Sequence, residues 1–221
     1  MKILNLYACL GGNRYKWNDV ADIEVTAVEL DPELARLYQE RFPNDIVIIE
    51  DAHQYLIDHY KEFDFIWSSP PCPTHSRARG WNPKVETKYP DMKLYEEIIL
   101  LETVSKGEIK RFKGKYVVEN VIPYYEPLIP AKKRGRHLYW TNFNLPNNLN
   151  DRKDIVGIIG SKFKEMYKLD EFHDYDFRKY KGKQPNKKIA ANLVDYEVGK
   201  TILETALGII NRENVNQTKL F

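Results

Sequence analysis

Hydrophobic positions fall into short runs separated by polar turns, and the spacing of those runs sets the expected order of elements. Ile3-Leu4-Asn5-Leu6-Tyr7-Ala8 is apolar almost throughout and too short for a helix, which predicts a buried strand. It breaks at the glycine-rich turn Cys9-Leu10-Gly11-Gly12-Asn13. The run from Ile23 to Leu30 predicts a second strand. After it, Asp31-Pro32 supplies a capping residue and a first-turn proline for a helix reaching about Phe42. Asp45 to Glu50 predicts a third strand, His53 to Tyr60 a short helix, and Phe63 to Ser69 a fourth strand. Leu94, Ile98 and Leu101 share one face of a helix expected from Asp91 to about Val104. Lys115 to Pro123 and Arg136 to Phe143 read as further strands. Val198, Ile202, Thr205 and Ile209 recur at helical spacing in a last helix from Val194 to Ile210. Strands alternating with helices predict an α/β fold with a parallel sheet whose polar strand ends line one edge.

Two stretches depart from this rhythm. Residues 77–88 are polar and predict a loop. Residues 145–188 carry Asn-rich turns, a helical piece near Ser161 to Leu169, the aromatic and acidic segment Glu171 to Tyr180, and a basic run. They read as a loosely specified insertion.

Charge sharpens the picture. Between Asp19 and Asp64 there are thirteen Asp or Glu against three Lys or Arg, while the whole chain carries +2, so the remainder is strongly basic. The basic residues gather at Lys132-Lys133-Arg134-Gly135-Arg136 and again from Arg178 to Lys188, which holds six Lys or Arg and no acid. Such runs are either solvated faces or a track for a polyanion, and the pair of them leads us to expect salt-sensitive nucleic-acid binding. No run has the apolar length of a membrane span and no signal-like segment opens the chain, so a cytoplasmic protein is expected, in a prokaryotic or phage-infected cell. The two cysteines, Cys9 and Cys72, lie in different motifs and suit a reducing compartment. No metal-ligand pattern is present.

The candidate chemistry centres on Ser68-Ser69-Pro70-Pro71-Cys72-Pro73. Two prolines end the fourth strand abruptly and hold Cys72 on a stiff loop, where it is either a nucleophile or a packed thiol. Glu119-Asn120 lies among Val117, Val118 and Val121, and an acid in that setting is costly unless it works or is paired. Glu29 ends the second strand about twenty residues after the glycine-rich turn, a position from which an acid can hold a ribose diol.

Together, Leu-Tyr-Ala-Cys-Leu-Gly-Gly (6–12), Val-Glu-Leu-Asp (28–31), Pro-Pro-Cys (70–72), Glu-Asn-Val (119–121), Lys-x-Arg-x-Arg (132–136) and Ala-Asn-Leu-Val (191–194) resemble the DNA cytosine carbon-5 methyltransferase family, in its compact phage or prophage form. The resemblance implies a Rossmann-like, S-adenosylmethionine-dependent methyltransferase sheet with a small, reduced recognition insertion. The implied organisation is a catalytic domain of residues 1–144 and 189–210, a reduced target-recognition insertion at 145–188, and a polar tail at 211–221. The implied reaction moves a methyl group from S-adenosyl-L-methionine to carbon-5 of cytosine in DNA, through a covalent cysteine adduct on a flipped-out base. Cys72 would be the nucleophile. Glu119 would contact the pyrimidine edge, Asn120 would brace the Cys72 loop, and Arg136 would contact the base carbonyl with Arg134 beside it. Either arginine, or local dipoles, could also favour the Cys72 thiolate. The cofactor would meet Tyr7, Ala8, Cys9, Leu10, Gly11 and Gly12, then Glu29 and Leu30, Asp51 and Ala52, Pro70, and finally Asn192 and Val194.

Three positions depart from the family pattern. Cys9 stands where glycine is usual, adding a side chain near the cofactor. Pro73 replaces a glutamine. The segment before the final helix is too short for a full target-recognition domain, so site preference is expected to be short, relaxed or dependent on a partner. An RNA cytosine methyltransferase, or a silent nucleic-acid-binding relative obstructed at Cys9, would carry the same residues. An amino-methyltransferase matches Ser69-Pro70-Pro71 but needs an aromatic residue at position 72. The ending Gln217-Thr218-Lys219-Leu220-Phe221 resembles a sliding-clamp docking peptide, or is a frayed tail with a chance match.

Overall fold

Seven strands form one sheet in the order β3-β2-β1-β4-β5-β7-β6. A computed structural model describes residues 1–77, 89–102, 112–149 and 166–209. The strands are β1 (Lys2–Leu6), β2 (Glu24–Val28), β3 (Ile46–Ile48), β4 (Phe65–Ser68), β5 (Lys115–Val121), β6 (Lys132–Arg134) and β7 (His137–Thr141); the helices are α1 (Pro32–Arg41), α2 (Ala52–His59), α3 (Lys93–Glu102), α4 (Met166–His173), α5 (Asn186–Asn192) and α6 (Tyr196–Ala206). The first five strands pair in parallel, as their alternation with helices requires, whereas β7 runs antiparallel to both β5 and β6.

Neighbouring side chains along each strand go to opposite faces of the sheet. Leu4, Ile66, Val118 and Leu138 pack with Leu94, Ile98 and Leu101 of α3. Ile3, Phe65, Val117 and Tyr139 pack with Trp17 and with Val198, Ile202 and Leu203 of α6. Both faces of the central strands are therefore covered, which explains their continuous apolar runs.

Register positions the functional edge. Leu6 pairs with Val28 on one side and with Ser68 on the other, while Ser68 also pairs with Val118. Glu29, Tyr7, Ser69 and Glu119 consequently follow one another across the carboxyl ends of four adjacent strands. The chain reverses its order between β1 and β4, and the crevice opens at that switch.

Helix starts follow the sequence closely. Asp31 caps α1 by accepting from the Glu33 and Leu34 amides, with Pro32 in the first turn, and Asp51 caps α2 by accepting from Gln54. The last helix is shorter than its periodicity suggests: Asp195 caps it, and Gly208 in the left-handed region (φ 73°) turns the chain after Ala206. Ile209, expected on the buried face, is instead exposed.

Two elements had no hydrophobic signature. β6 is a run of basic residues held by pairing to β7, with Lys132 Nζ donating to the Thr141 and Phe143 carbonyls. α5 begins inside the basic run and buries only Ile189 and Ala190. Residues 166–193, which take in part of the expected insertion at 145–188, pack on the rest of the fold. Leu169, Phe177, Tyr180, Ile189 and Leu193 pack on Leu10 of the first turn and on Leu34 and Leu37 of α1. Tyr180 donates to Asp31 at 2.7 Å, and Arg41 of α1 donates to the Leu10 and His173 carbonyls.

Residues 78–88 of the expected loop, the beginning of the helix near Ser161, and the tail from Gln217 to Phe221 lie outside the described residues. Among the described residues no helix is long and apolar enough to cross a membrane.

Candidate active site

A cleft of about 1990 Å³ runs along the carboxyl edge of the sheet. Its lining includes Tyr7, Ala8, Cys9 and Gly12 from the first turn, Glu29 and Leu30 after β2, Asp51 and Ala52 at the start of α2, Pro70 and Cys72, Glu119, Arg134 and Arg136, and Asn192 and Val194. Leu10 and Gly11 stand behind that surface; both are buried.

At one end lies Cys72, half-buried on its proline-braced loop. The Asn120 side chain donates to the Pro70 carbonyl at 3.0 Å, and the His75 and Ser76 amides both donate to the Cys72 carbonyl at 3.0 Å. Burial pushes the Cys72 thiol above its ordinary pKa, Lys188 opposes that shift, and Glu119 adds to it. Among the described residues the local backbone amide and then Lys188, exposed on α5 and lining the same cleft, favour the thiolate, a role the sequence had offered to Arg134, Arg136 or local dipoles. Arg134 instead directs its guanidinium to the Pro146, Leu145 and Lys133 carbonyls, clamping the β6–β7 hairpin to the chain after it. Arg136 is exposed at the rim.

Glu119 lies beside this loop, and burial pushes its carboxyl up to about 7, against the hydrogen bond it receives from Ser69. Ser69 donates at 2.9 Å to Oε1, and Trp67 in turn donates at 2.8 Å to the Ser69 hydroxyl. The other oxygen, Oε2, is buried without a hydrogen-bond partner. A polar atom so placed is costly, and a ligand able to pair with it relieves the cost.

At the other end the β1 turn bends sharply, with Tyr7, Cys9 and Gly11 all in the left-handed region (φ 55°, 48° and 65°). Cys9 therefore occupies a conformation that glycine adopts more readily. Its thiol is pushed up to about 12, by burial and by Glu29 beside it. The turn is anchored to Glu29, whose carboxylate accepts from the Cys9 amide at 2.8 Å and the Asp31 amide at 2.9 Å. Burial raises the Glu29 pKa while those amides counter it. Gly12 touches the closing segment, since a Cβ there would stand 2.3 Å from the Val194 carbonyl oxygen. Asp51 receives the Lys93 ammonium at 3.1 Å; burial disfavours its charge, but the Gln54 amide and Lys93 outweigh burial and hold its pKa below the ordinary value. Among the described residues no group of three or more His, Cys, Asp or Glu could hold a metal ion.

Residues 1–103 match the model of the C-5 cytosine-specific DNA methylase. The match covers just under half of the chain, and that amino-terminal part is similar to the family. S-adenosyl-L-methionine is the cofactor that goes with the family and with the Rossmann-like methyltransferase fold. The match takes in the first turn, Glu29, Asp51 and the Cys72 loop; Glu119, the arginines and Asn192 to Val194 lie beyond it, and the fold brings them to the same cleft.

A search of curated proteins found no match. Among solved structures, the Entamoeba histolytica methyltransferase EhMeth is 10% identical with a TM-score of 0.53, over 96% of this chain and 99% of that one. A Spodoptera frugiperda DNMT2 structure is 22% identical with a TM-score of 0.35, over 54% of this chain. A putative DNA modification methyltransferase encoded within an Escherichia coli prophage is 19% identical with a TM-score of 0.37, over 57% of this chain. The matches cover 35% and 33% of the latter two chains, about a third of each.

The cleft suits the cofactor. An acid at the end of β2 with two amides already aligned on it, a close-packed glycine turn and a second acid capping α2 are the donor and acceptor types that a ribose and an adenine require. The sequence reading missed Ser69 as the partner of Glu119, Lys93 as the partner of Asp51, and Lys188. None has a local signal, because each acts across a distance the chain closes only on folding.

Proposed function

We propose that this chain transfers a methyl group from S-adenosyl-L-methionine to carbon-5 of cytosine in DNA, through a covalent Cys72 adduct on a flipped-out base. The observation that carries the reading is the pairing of Cys72 with a buried Glu119 whose Oε2 lacks a partner, in one cleft with the Glu29 and Asp51 acids.

Carbon-5 of cytosine is too weakly nucleophilic to attack a methyl donor unaided. The Cys72 thiolate adds to carbon-6, and the electron pair of the carbon-5 to carbon-6 double bond moves toward carbon-5 and the ring. Glu119, neutral below about pH 7, donates from its carboxyl to the ring nitrogen where charge collects. Asn120 keeps the loop bearing the thiol fixed during the attack. Bound S-adenosyl-L-methionine supplies the electrophilic methyl group. Loss of the carbon-5 proton to solvent then expels the Cys72 thiolate and restores the double bond.

A reaction centre inside this cleft cannot meet a base stacked in a duplex, so the base must leave the stack. Arg136 on the hairpin and Lys183 and Lys188 near α5 are exposed and line the cleft, in position to hold phosphates of the substrate. The test is mass-spectrometric nucleoside analysis of both DNA and RNA from a methylase-free host expressing the chain or its Cys72→Ala variant. Cysteine-dependent 5-methylcytosine in DNA supports the reading. The same mark confined to RNA reassigns the substrate, and its absence from both overturns the activity.

A further inference from the structure

Beneath the cleft lies a carboxylate that the chemistry above does not use. Glu97 is fully buried on α3, with 0% exposure. Its Oε2 accepts from the Ser68 hydroxyl at 2.5 Å; its Oε1 accepts from the Tyr7 hydroxyl at 2.6 Å and lies 3.1 Å from His53 Nδ1. His53 Nε2 lies 3.1 Å from Glu96, so the imidazole is held between two acids.

The three partners come from three separate segments: Tyr7 lines the cleft, and Ser68 and His53 each adjoin a residue that does, Ser69 and Ala52. Tyr7 begins the glycine-rich turn, Ser68 ends β4 and leads into Pro70-Pro71-Cys72, and His53 follows Asp51 and Ala52. A carboxylate in a dry interior is costly, and an apolar side chain would fill the same space more cheaply. What the carboxylate adds is two oxygens set at a fixed separation, one for each side of the crevice. Tyr7 is also a non-glycine residue at φ 55°, a conformation that persists only where its surroundings enforce it, and the hydrogen bond to Glu97 fastens its side chain.

We infer that Glu97 is a positioning residue that fixes the cofactor turn and the nucleophile loop relative to each other through Tyr7 and Ser68. It touches neither substrate nor cofactor. The inference rests on the cofactor reading of the cleft.

The test measures equilibrium binding of S-adenosyl-L-homocysteine, with melting temperature, for the wild-type chain, Tyr7→Phe, Ser68→Ala, Glu97→Gln and the Tyr7→Phe/Glu97→Gln pair. Tyr7→Phe keeps the ring and removes only the hydroxyl, so it remains informative if Glu97→Gln fails to fold. The expected result is about tenfold weaker binding for Tyr7→Phe and for Glu97→Gln, with the double variant little worse than either single one. In methyl-transfer assays KM for S-adenosylmethionine should rise in Tyr7→Phe more than kcat falls. A merely structural role would lower the melting temperature and leave affinity and this split unmoved, which would overturn the inference. Additive losses in the double variant would also overturn it. Failure of the wild-type chain to bind would remove the cofactor reading and this inference with it, whereas equal binding by every variant would remove the inference alone.

Discussion

The Asn120 side-chain amide donates to the Pro70 carbonyl across 3.0 Å, joining the end of β5 to the loop that carries Cys72. Pro70 is buried, so this carbonyl has no ready exchange with water. Asn120→Ala should leave it unpaired, at about 1–3 kcal/mol of stability. Asn120→Asp should be worse, because a carboxylate would face a carbonyl oxygen. Both should retain S-adenosyl-L-homocysteine binding while losing methyl transfer by tenfold or more, on the order of a misplaced reacting group. Thermal melting, equilibrium binding and single-turnover transfer separate these effects. Lost cofactor binding with transfer intact would contradict the bracing role.

Glu119 and Cys72 make opposite demands on pH. Transfer needs Cys72 deprotonated, and its thiol pKa is raised; it needs Glu119 protonated, and that carboxyl titrates at about 7. Below about 7 Glu119 is neutral and the thiolate fraction grows with pH, so kcat/KM should rise. Above about 7 the loss of neutral Glu119 cancels the gain in thiolate, and the profile should level off before it falls. Glu119→Gln cannot ionise, so its residual rate should keep rising through pH 7. A wild-type profile that climbs through 7 without levelling would show that neutral Glu119 is not required.

The same carboxyl should set a slope in stability. Its folded pKa of about 7 lies above the ordinary value of 4.5, so its contribution is fully present below about pH 4.5 and is lost as pH rises to about 7. The loss is on the order of 3 kcal/mol. Denaturant midpoints across that window should fall for the wild-type chain and flatten in Glu119→Gln.

Gly12 is required for space. An alanine Cβ would stand 2.3 Å from the Val194 carbonyl oxygen and 2.6 Å from Leu193 Cγ, and the carbonyl cannot yield without moving the segment between α5 and α6. Gly12→Ala should cost about 1–3 kcal/mol and weaken S-adenosyl-L-homocysteine binding, because that segment closes the cleft. Unchanged affinity in a folded Gly12→Ala chain would separate residues 193–194 from the cofactor site.

Much of this site was legible because its signals are local. Asp31-Pro32 announces α1, Pro70-Pro71 fixes the Cys72 loop, and Glu119 is conspicuous among valines. β6 was not legible, because Lys132 to Arg134 carries no alternation and exists through its pairing with β7. Glu97 had a readable clue, since it falls three residues after Leu94 on the face shared with Ile98 and Leu101. An acid on a buried helical face asks for partners, but Tyr7 and Ser68 lie far away in sequence. The packing of residues 166–193 against α1 was hidden for a similar reason: Leu169, Phe177, Tyr180 and Ile189 are too widely spaced to show a period and converge only on Leu34 and Leu37.

The two thiols should differ in reactivity. Both line the cleft, but Lys188 favours the Cys72 thiolate, whereas the Cys9 thiol is pushed up to about 12 by burial and by Glu29, and packs against the cluster around Leu10 and Leu34. The thiolate is the species that reacts with iodoacetamide. Peptide mass spectrometry after brief alkylation at pH 8 should therefore find Cys72 modified and Cys9 largely free. Removing the ammonium in Lys188→Gln should slow Cys72 alkylation several-fold, because burial would then act unopposed except by local backbone dipoles. Arg136→Gln should change the rate less, since that guanidinium is exposed at the rim and screened by water. If Arg136→Gln slows the reaction and Lys188→Gln does not, the cation that favours the thiolate comes from the hairpin, and the role assigned to α5 is wrong.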